Sequence, residues 1–207
     1  MNESHQPLRP VRPMWMFALF AIACCIMGVT AGFFLYGMTL PDRWSVSESI
    51  VIEAPPAEVV GLIANPSAWT EWSMWSAAND PSLKTNTTGP DSGAGATMQW
   101  TGRMLGRGKL VITDVETDGA SDGRTVHYEL YRQGELFSDE GAFELVPEDG
   151  HTRVVWSDSG ELGSTTARLF RERFTDLVAR DYARSLEQLR DVVESDVKSR
   201  ALETDSG

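Results

Sequence analysis

Residues 14–40 form a run of 27 amino acids without a single Asp, Glu, Lys, Arg, His, Asn or Gln. A helix that crosses the hydrocarbon core of a membrane needs roughly 20 mainly apolar residues, and this run exceeds that length. Trp15 and Tyr36 lie near its ends, where aromatic rings favour the membrane interface, and Pro41 follows it. The run is longer than the apolar core of a cleaved signal peptide, roughly 7–15 residues. We therefore expect a retained single-pass transmembrane helix over residues 14–40, after a short N-terminal tail over residues 1–13.

The orientation of this span is predicted from the basic residues that flank it. Arg9 and Arg12 precede the run, whereas only Arg43 follows it closely. Basic residues are retained on the cytoplasmic side of a membrane. We expect a cell-membrane protein with its N-terminus in the cytoplasm and the rest of the chain outside.

The rest of the chain is acidic, which excludes some classes of function. The chain carries 18 Lys and Arg against 30 Asp and Glu, a formal net charge of −12. Nucleic-acid binding needs a basic face, so no nucleic-acid partner is expected. Both cysteines, Cys24 and Cys25, lie in the apolar run, and only His127 and His151 follow it. We expect no metal site and no cofactor, because too few ligands of the usual types are available.

Beyond residue 43 the apolar pattern changes from strands to one long helix. Residues 44–53 alternate as a strand, two short helical segments follow, and about six further strands lead to residue 160. Apolar residues then recur at helical spacing between residues 166 and 194, with one irregular step near residues 179–181. This order predicts an α+β domain in which a curved antiparallel sheet wraps around a long C-terminal helix.

Several local motifs resemble a known family. The segments IVIEAPPAEVVGLIANPSAWTEWSMW, GAGATMQWTG, GRGKLVITDVE and TRVVWSDSG resemble the START-like helix-grip superfamily, also called SRPBCC, and its polyketide cyclase/dehydrase-type branch. The resemblance covers residues 44–195 and leaves residues 196–207 as a polar tail that we expect to be disordered. It implies an apolar cavity between the sheet and the long helix for a hydrophobic small molecule or lipid. It implies no single reaction, because this fold serves carriers, sensors and enzymes.

Aromatic side chains are the candidates for lining such a cavity, since flat rings suit hydrophobic ligands. The candidates are Trp72, Trp75, Trp100, Tyr128, Phe143, Trp156, Phe170 and Phe174. We expect them to favour neutral or weakly polar ligands. Two alternatives stay open: an enzyme of the cyclase or dehydratase type, although no catalytic motif is recognisable, and a docking module for an unknown protein partner with a cavity filled by its own side chains.

Two groups of polar residues are conspicuous beside these aromatic residues. If Pro147 pairs with Gly150, then Asp139 lies opposite Asp158 and next to Tyr128, which would give a row of polar groups facing inward. Such a crowded carboxylate pair could hold a proton and act as a general acid or base. Arg103, Arg107 and Lys109 form a basic cluster, interpreted as a solvated hairpin tip or a contact for anionic headgroups.

Overall fold

The computed structural model describes residues 14–119, 121–132 and 137–205. The chain divides into two compact units, Met1–Leu40 and Pro41–Gly207. The predicted orienting residues Arg9 and Arg12 lie outside the described part of the chain. Of these two units, the second is the folded domain.

In the described part of the first unit the chain forms one helix, α1, over Met14–Thr39. Its 26 residues span about 39 Å at 1.5 Å per residue. By length and composition, Trp15–Thr39 is apolar enough to cross a membrane, although a signal sequence near an N-terminus passes the same test.

The second unit is a seven-stranded antiparallel sheet with a long helix packed on it. The strands are β1 (Arg43–Ile52), β2 (Lys84–Thr88), β3 (Thr97–Thr101), β4 (Arg107–Thr117), β5 (Arg124–Arg132), β6 (Phe137–Glu148) and β7 (His151–Glu161). The helices are α2 (Pro56–Ile63), α3 (Trp69–Trp72), α4 (Thr165–Leu169) and α5 (Arg171–Asp205), with a 3-10 turn at Pro66–Ala68. The strand order is β1-β7-β6-β5-β4-β3-β2, so the first and last strands of the chain are neighbours.

Alternation along the strands places one face of the sheet in the core. On β5, Val126, Tyr128 and Leu130 are buried, as period-two alternation requires. The buried face of α5 carries Tyr182, Leu186, Leu189 and Val193, which share a side of the helix. The predicted helix-grip α+β architecture is confirmed.

The C-terminal helical segment differs from its prediction in where it breaks and in where it ends. The break lies at Phe170, between α4 and α5, and the irregular step near residues 179–181 is continuous helix. Helix α5 also runs to Asp205, through most of the stretch expected to be a disordered tail. There the guanidinium of Arg200 donates to both carboxylate oxygens of Glu58 on α2, at 3.0 and 2.6 Å. This long-range contact, which no local pattern reveals, ties the last turns to the domain.

Candidate ligand-binding site

An apolar cavity of about 390 Å³ lies at one end of the sheet, where β1 begins and β7 ends. Its walls come from the ends of five strands (β1, β4, β5, β6 and β7), the loop between β3 and β4 and the α4–α5 junction. The lining residues are Trp44, Leu105, Arg107, Arg132, Asp139, Glu161, Leu162, Gly163, Ala167, Phe170 and Phe174. The break between α4 and α5 therefore forms one side of the cavity.

The apolar wall is built from aromatic rings on both sides of the cavity. The ring of Trp44, at the start of β1, meets the ring of Phe174 on α5 edge to face, with centroids 5.0 Å apart. Phe170 lies at the helix break and keeps 58% of its surface exposed. Ser164 positions this segment, because its Oγ accepts a hydrogen bond from the Ala167 amide at 3.1 Å and so caps α4. The exposed Phe170 ring leaves an apolar edge open to an incoming molecule.

The polar wall carries charged groups close to these rings. Arg132 forms an ion pair with Asp139, whose side chain is only 4% exposed. Burial raises the pKa of the Asp139 carboxyl, and the adjacent Arg132 opposes that change. Oε1 of Glu161 lies 3.7 Å from Nη2 of Arg43. The cavity thus combines an aromatic surface with polar groups that could fix one end of a ligand.

Asp80 holds the hairpin that forms a third wall, and the sequence analysis did not identify it. Its Oδ2 accepts hydrogen bonds from the amides of Met104 and Leu105 at 2.8 and 3.1 Å. Its Oδ1 accepts from the amide and hydroxyl of Ser82 at 2.9 and 2.6 Å. These hydrogen bonds hold the pKa of Asp80 well below its usual range, and the bond from the Ser82 hydroxyl has the largest effect. The one local signal is an Asp-Pro-Ser sequence, which is typical of a turn.

The eight aromatic candidates divide into two groups in the structure. Phe170 and Phe174 line the cavity. The other six are buried and pack on one another in the interior: Trp72, Trp75, Trp100, Tyr128, Phe143 and Trp156. Trp156 also stacks flat on Tyr182 of α5, with centroids 3.7 Å apart. The middle of the space between sheet and helix is therefore occupied by side chains, and Trp44 and Leu162 were not predicted as cavity residues.

The predicted polar row is partly assembled, in a different register. Asp139 lies opposite Gly160, and Asp158 lies opposite Gly141, so the predicted pairing of the two aspartates is wrong. The hairpin closes through a two-residue turn at Asp149 and Gly150, both with positive φ (46° and 90°). Such turns match the twist of the flanking strands. This closure shifts the partner of every residue on β6 by two.

The shift creates a hydrogen-bonded cluster across β5, β7 and α5. The ring of Tyr128 lies over Gly141, where an added Cβ would be 2.1 Å from Cζ of the ring. Its hydroxyl donates to Oδ2 of Asp158 at 3.1 Å and accepts from the indole N–H of Trp156 at 2.7 Å. The Tyr182 hydroxyl donates to the same Oδ2. Gly141 thus allows a tyrosine to bridge three strands.

Burial gives Asp158 unusual acid–base properties. Its side chain is 2% exposed, and Oδ1 has no hydrogen-bond partner among the described residues. Desolvation raises the pKa of Asp158 to about 7, with the two tyrosine hydroxyls opposing the change and the nearby Asp139 adding to it. This carboxyl can therefore hold a proton near neutral pH, although it is not among the residues that line the cavity.

Comparison with known proteins identifies the family of this domain. The family described as polyketide cyclase/dehydrase and lipid transport matches residues 43–194. The chain belongs to this family. The match covers the whole sheet and most of α5, and it leaves α1 outside. No curated protein has a significantly similar sequence.

Solved structures share the fold of this polyketide cyclase/dehydrase domain at low sequence identity. A hypothetical protein from Helicobacter pylori is 11% identical, with a TM-score of 0.55, covering 72% of this chain and 88% of its own. A protein from Thermus thermophilus is 19% identical, with a TM-score of 0.53, covering 73% and 98%. Norcoclaurine synthase from Thalictrum, solved with a transition-state analogue, is 13% identical, with a TM-score of 0.50, covering 74% and 95%.

Proposed function

We propose that this protein is anchored in a membrane and binds one hydrophobic small molecule or lipid in the cavity beside Trp44, Phe170 and Phe174. The observation that carries the proposal is the aromatic cavity of about 390 Å³ with charged groups on one wall. Ligand sites are concave, mainly apolar and furnished with a few polar groups that orient the ligand. The family description, which includes lipid transport, supports the same class of ligand.

The arrangement of the chain fits a ligand that partitions into membranes. Residues 14–40 would be the span and residues 44–195 the binding domain, facing away from the cytoplasm. The apolar helix Trp15–Thr39 is long enough for this role. A membrane-anchored domain would meet a lipophilic ligand at the bilayer surface, where such molecules concentrate.

Photolabelling of the full chain in lipid nanodiscs tests this proposal. The probe is a long-chain alcohol with a diazirine in its chain, and the labelled residues are read by peptide mass spectrometry. We expect labels near Trp44, Phe170 and Phe174. Ala167→Trp should reduce this labelling at least about tenfold, because Ala167 lines the cavity and the indole would occupy the space of the ligand.

A matched variant controls for the substitution itself. Ala201 is exposed on α5, so Ala201→Trp adds the same ring away from the cavity and should keep the wild-type labelling. Circular dichroism verifies that both variants are folded. Labels confined to α1, or equal labelling of the cavity in both variants, would refute ligand binding at this site.

An enzyme is the second candidate, because a nearly buried acid lines the cavity. Asp139 is 4% exposed and its pKa is raised, as is common for catalytic acids and bases. If the protein is an enzyme, Asp139→Asn should retain a bound molecule of different mass from the one bound by the wild type. Identical bound molecules in both proteins would favour binding without turnover.

A further inference from the structure

We propose that the cavity selects single-chain amphiphiles with a carboxylate head group, and that Arg107 and Arg132 bind the carboxylate. The apolar tail would lie against Trp44, Phe170 and Phe174. This inference rests on the proposed function, because it specifies the ligand of the same cavity. It differs from the neutral ligand that the sequence predicts.

The cavity wall carries two arginines, Arg107 and Arg132, and two carboxylates, Asp139 and Glu161. Each carboxylate on the wall has a cation: Asp139 pairs with Arg132, and Glu161 lies 3.7 Å from Arg43. Arg107 has no ion pair or side-chain hydrogen bond within residues 14–119, 121–132 and 137–205. Because Glu161 pairs with Arg43, which lies outside the lining, Arg107 is left without a partner among the described residues, and an anionic group would supply one.

The two arginines lie at the same end of neighbouring strands. The Cα of Arg132 on β5 faces that of Gly108 on β4, the residue next to Arg107. A guanidinium has five N–H donors, and a single terminal nitrogen of Arg132 is used by Asp139. The remaining donors are available to a second carboxylate, and arginine binds carboxylates with a favourable planar geometry. Asp139 thereby fixes Arg132 in place while using only one of its nitrogens.

The size of the cavity favours one chain over two. Ligand pockets span about 300–1,000 Å³, and about 390 Å³ is near the lower end. A diacyl lipid needs room for two chains and a large head group, whereas a fatty acid needs room for one chain and a carboxylate. The acidic net charge of −12 does not prevent this contact, since charges beyond about 8–10 Å are screened at physiological salt.

A pair of photoprobes distinguishes the head groups. A long-chain carboxylic acid and the corresponding alcohol carry the diazirine at the same carbon, and each is titrated at pH 8 against the full chain in nanodiscs. We expect half-maximal cavity labelling at a concentration at least about tenfold lower for the acid. Charge-assisted hydrogen bonds to a carboxylate account for a preference of this size.

Variants on the same hairpin test the assigned arginine. Arg107→Gln should bring the two half-maximal concentrations together, while Arg107→Lys should keep part of the preference. Arg103→Gln is the control, because Arg103 is exposed and does not line the cavity; it should retain the full preference for the acid.

Different negative results would overturn the head-group assignment alone or the binding site as well. Equal labelling by acid and alcohol, or an unchanged preference in Arg107→Gln, would overturn the carboxylate assignment and leave the hydrophobic site intact. Absence of cavity labelling by either probe would overturn both the site and its head-group specificity.

Discussion

Asp158 is the side chain whose environment departs most from that of an ordinary carboxyl. It is buried beside Tyr128 and Tyr182, and its pKa is raised to about 7. A carboxyl whose pKa is higher in the folded than in the unfolded protein stabilises the fold fully only below its unfolded pKa, about 4. We expect the free energy of unfolding to fall as the pH rises from about 4 to about 7, by up to ~4 kcal/mol for a change in pKa of this size.

Replacement of this carboxyl should remove that pH dependence. Asp158→Asn keeps the shape and cannot ionise, so its stability should vary less than that of the wild type between pH 4 and pH 8, as measured by urea unfolding. Asp91 is exposed, and Asp91→Asn should keep the wild-type profile. A wild-type slope in Asp158→Asn would contradict the assignment of the buried proton.

For single residues, the sequence predicted correctly which side chains face the core, and wrongly which residues pair across neighbouring strands. Period-two alternation placed Tyr128, Asp139 and Asp158 on the inner face, and all three are buried. Their pairing depends on where the two-residue turn lies, at Glu148-Asp149 as predicted or at Asp149-Gly150 as observed, and the pattern Pro-Glu-Asp-Gly permits both. The positive φ at Asp149 and Gly150 decides the register, and this is a property of the closed hairpin.

At the scale of elements, the β3–β4 hairpin depends on one loop residue. Asp80 accepts four hydrogen bonds, two of them from hairpin amides. Its pKa is lowered by these bonds, so they stabilise the protein above the unfolded pKa and are lost as the pH falls. Asp80→Asn should lower the melting temperature by several degrees at pH 7 and by clearly less at pH 2, because the contribution is lost only as the pH falls towards the lowered pKa of Asp80. Equal losses at both pH values in calorimetry would contradict this role.

The cavity wall arises from contacts between elements that local patterns do not encode. Helical spacing predicted one helix over residues 166–194, but the break at Phe170 separates α4 from α5 and turns Ala167 and Phe170 towards the cavity. Likewise, Trp44 was recognised as part of a strand, whereas its contact with Phe174 requires two segments 130 residues apart to meet. The sequence therefore predicts the sheet and the helix better than the site between them.

At the scale of the whole molecule, the proposal that residues 14–40 span a membrane predicts which side of it the domain faces. The bias of Arg9 and Arg12 over Arg43 favours a cytoplasmic N-terminus. A phosphatase reporter that is active only outside the cytoplasm, fused after the C-terminus, should be active. The double substitution Arg9→Glu and Arg12→Glu removes the excess of basic residues before the apolar run, and it should reduce the activity of the reporter. An inactive wild-type fusion that is made in normal amounts would reverse the proposed orientation.

Native mass spectrometry of the full chain, released from nanodiscs formed directly from its membranes, tests ligand binding most directly. The wild type should carry one small molecule per chain, and extraction of that molecule should recover a single-chain lipophile. Ala167→Trp should be free of it, while Ala201→Trp should retain it. A wild type without a bound molecule, or the same occupancy in Ala167→Trp, would contradict a binding site at the cavity beside Trp44, Phe170 and Phe174.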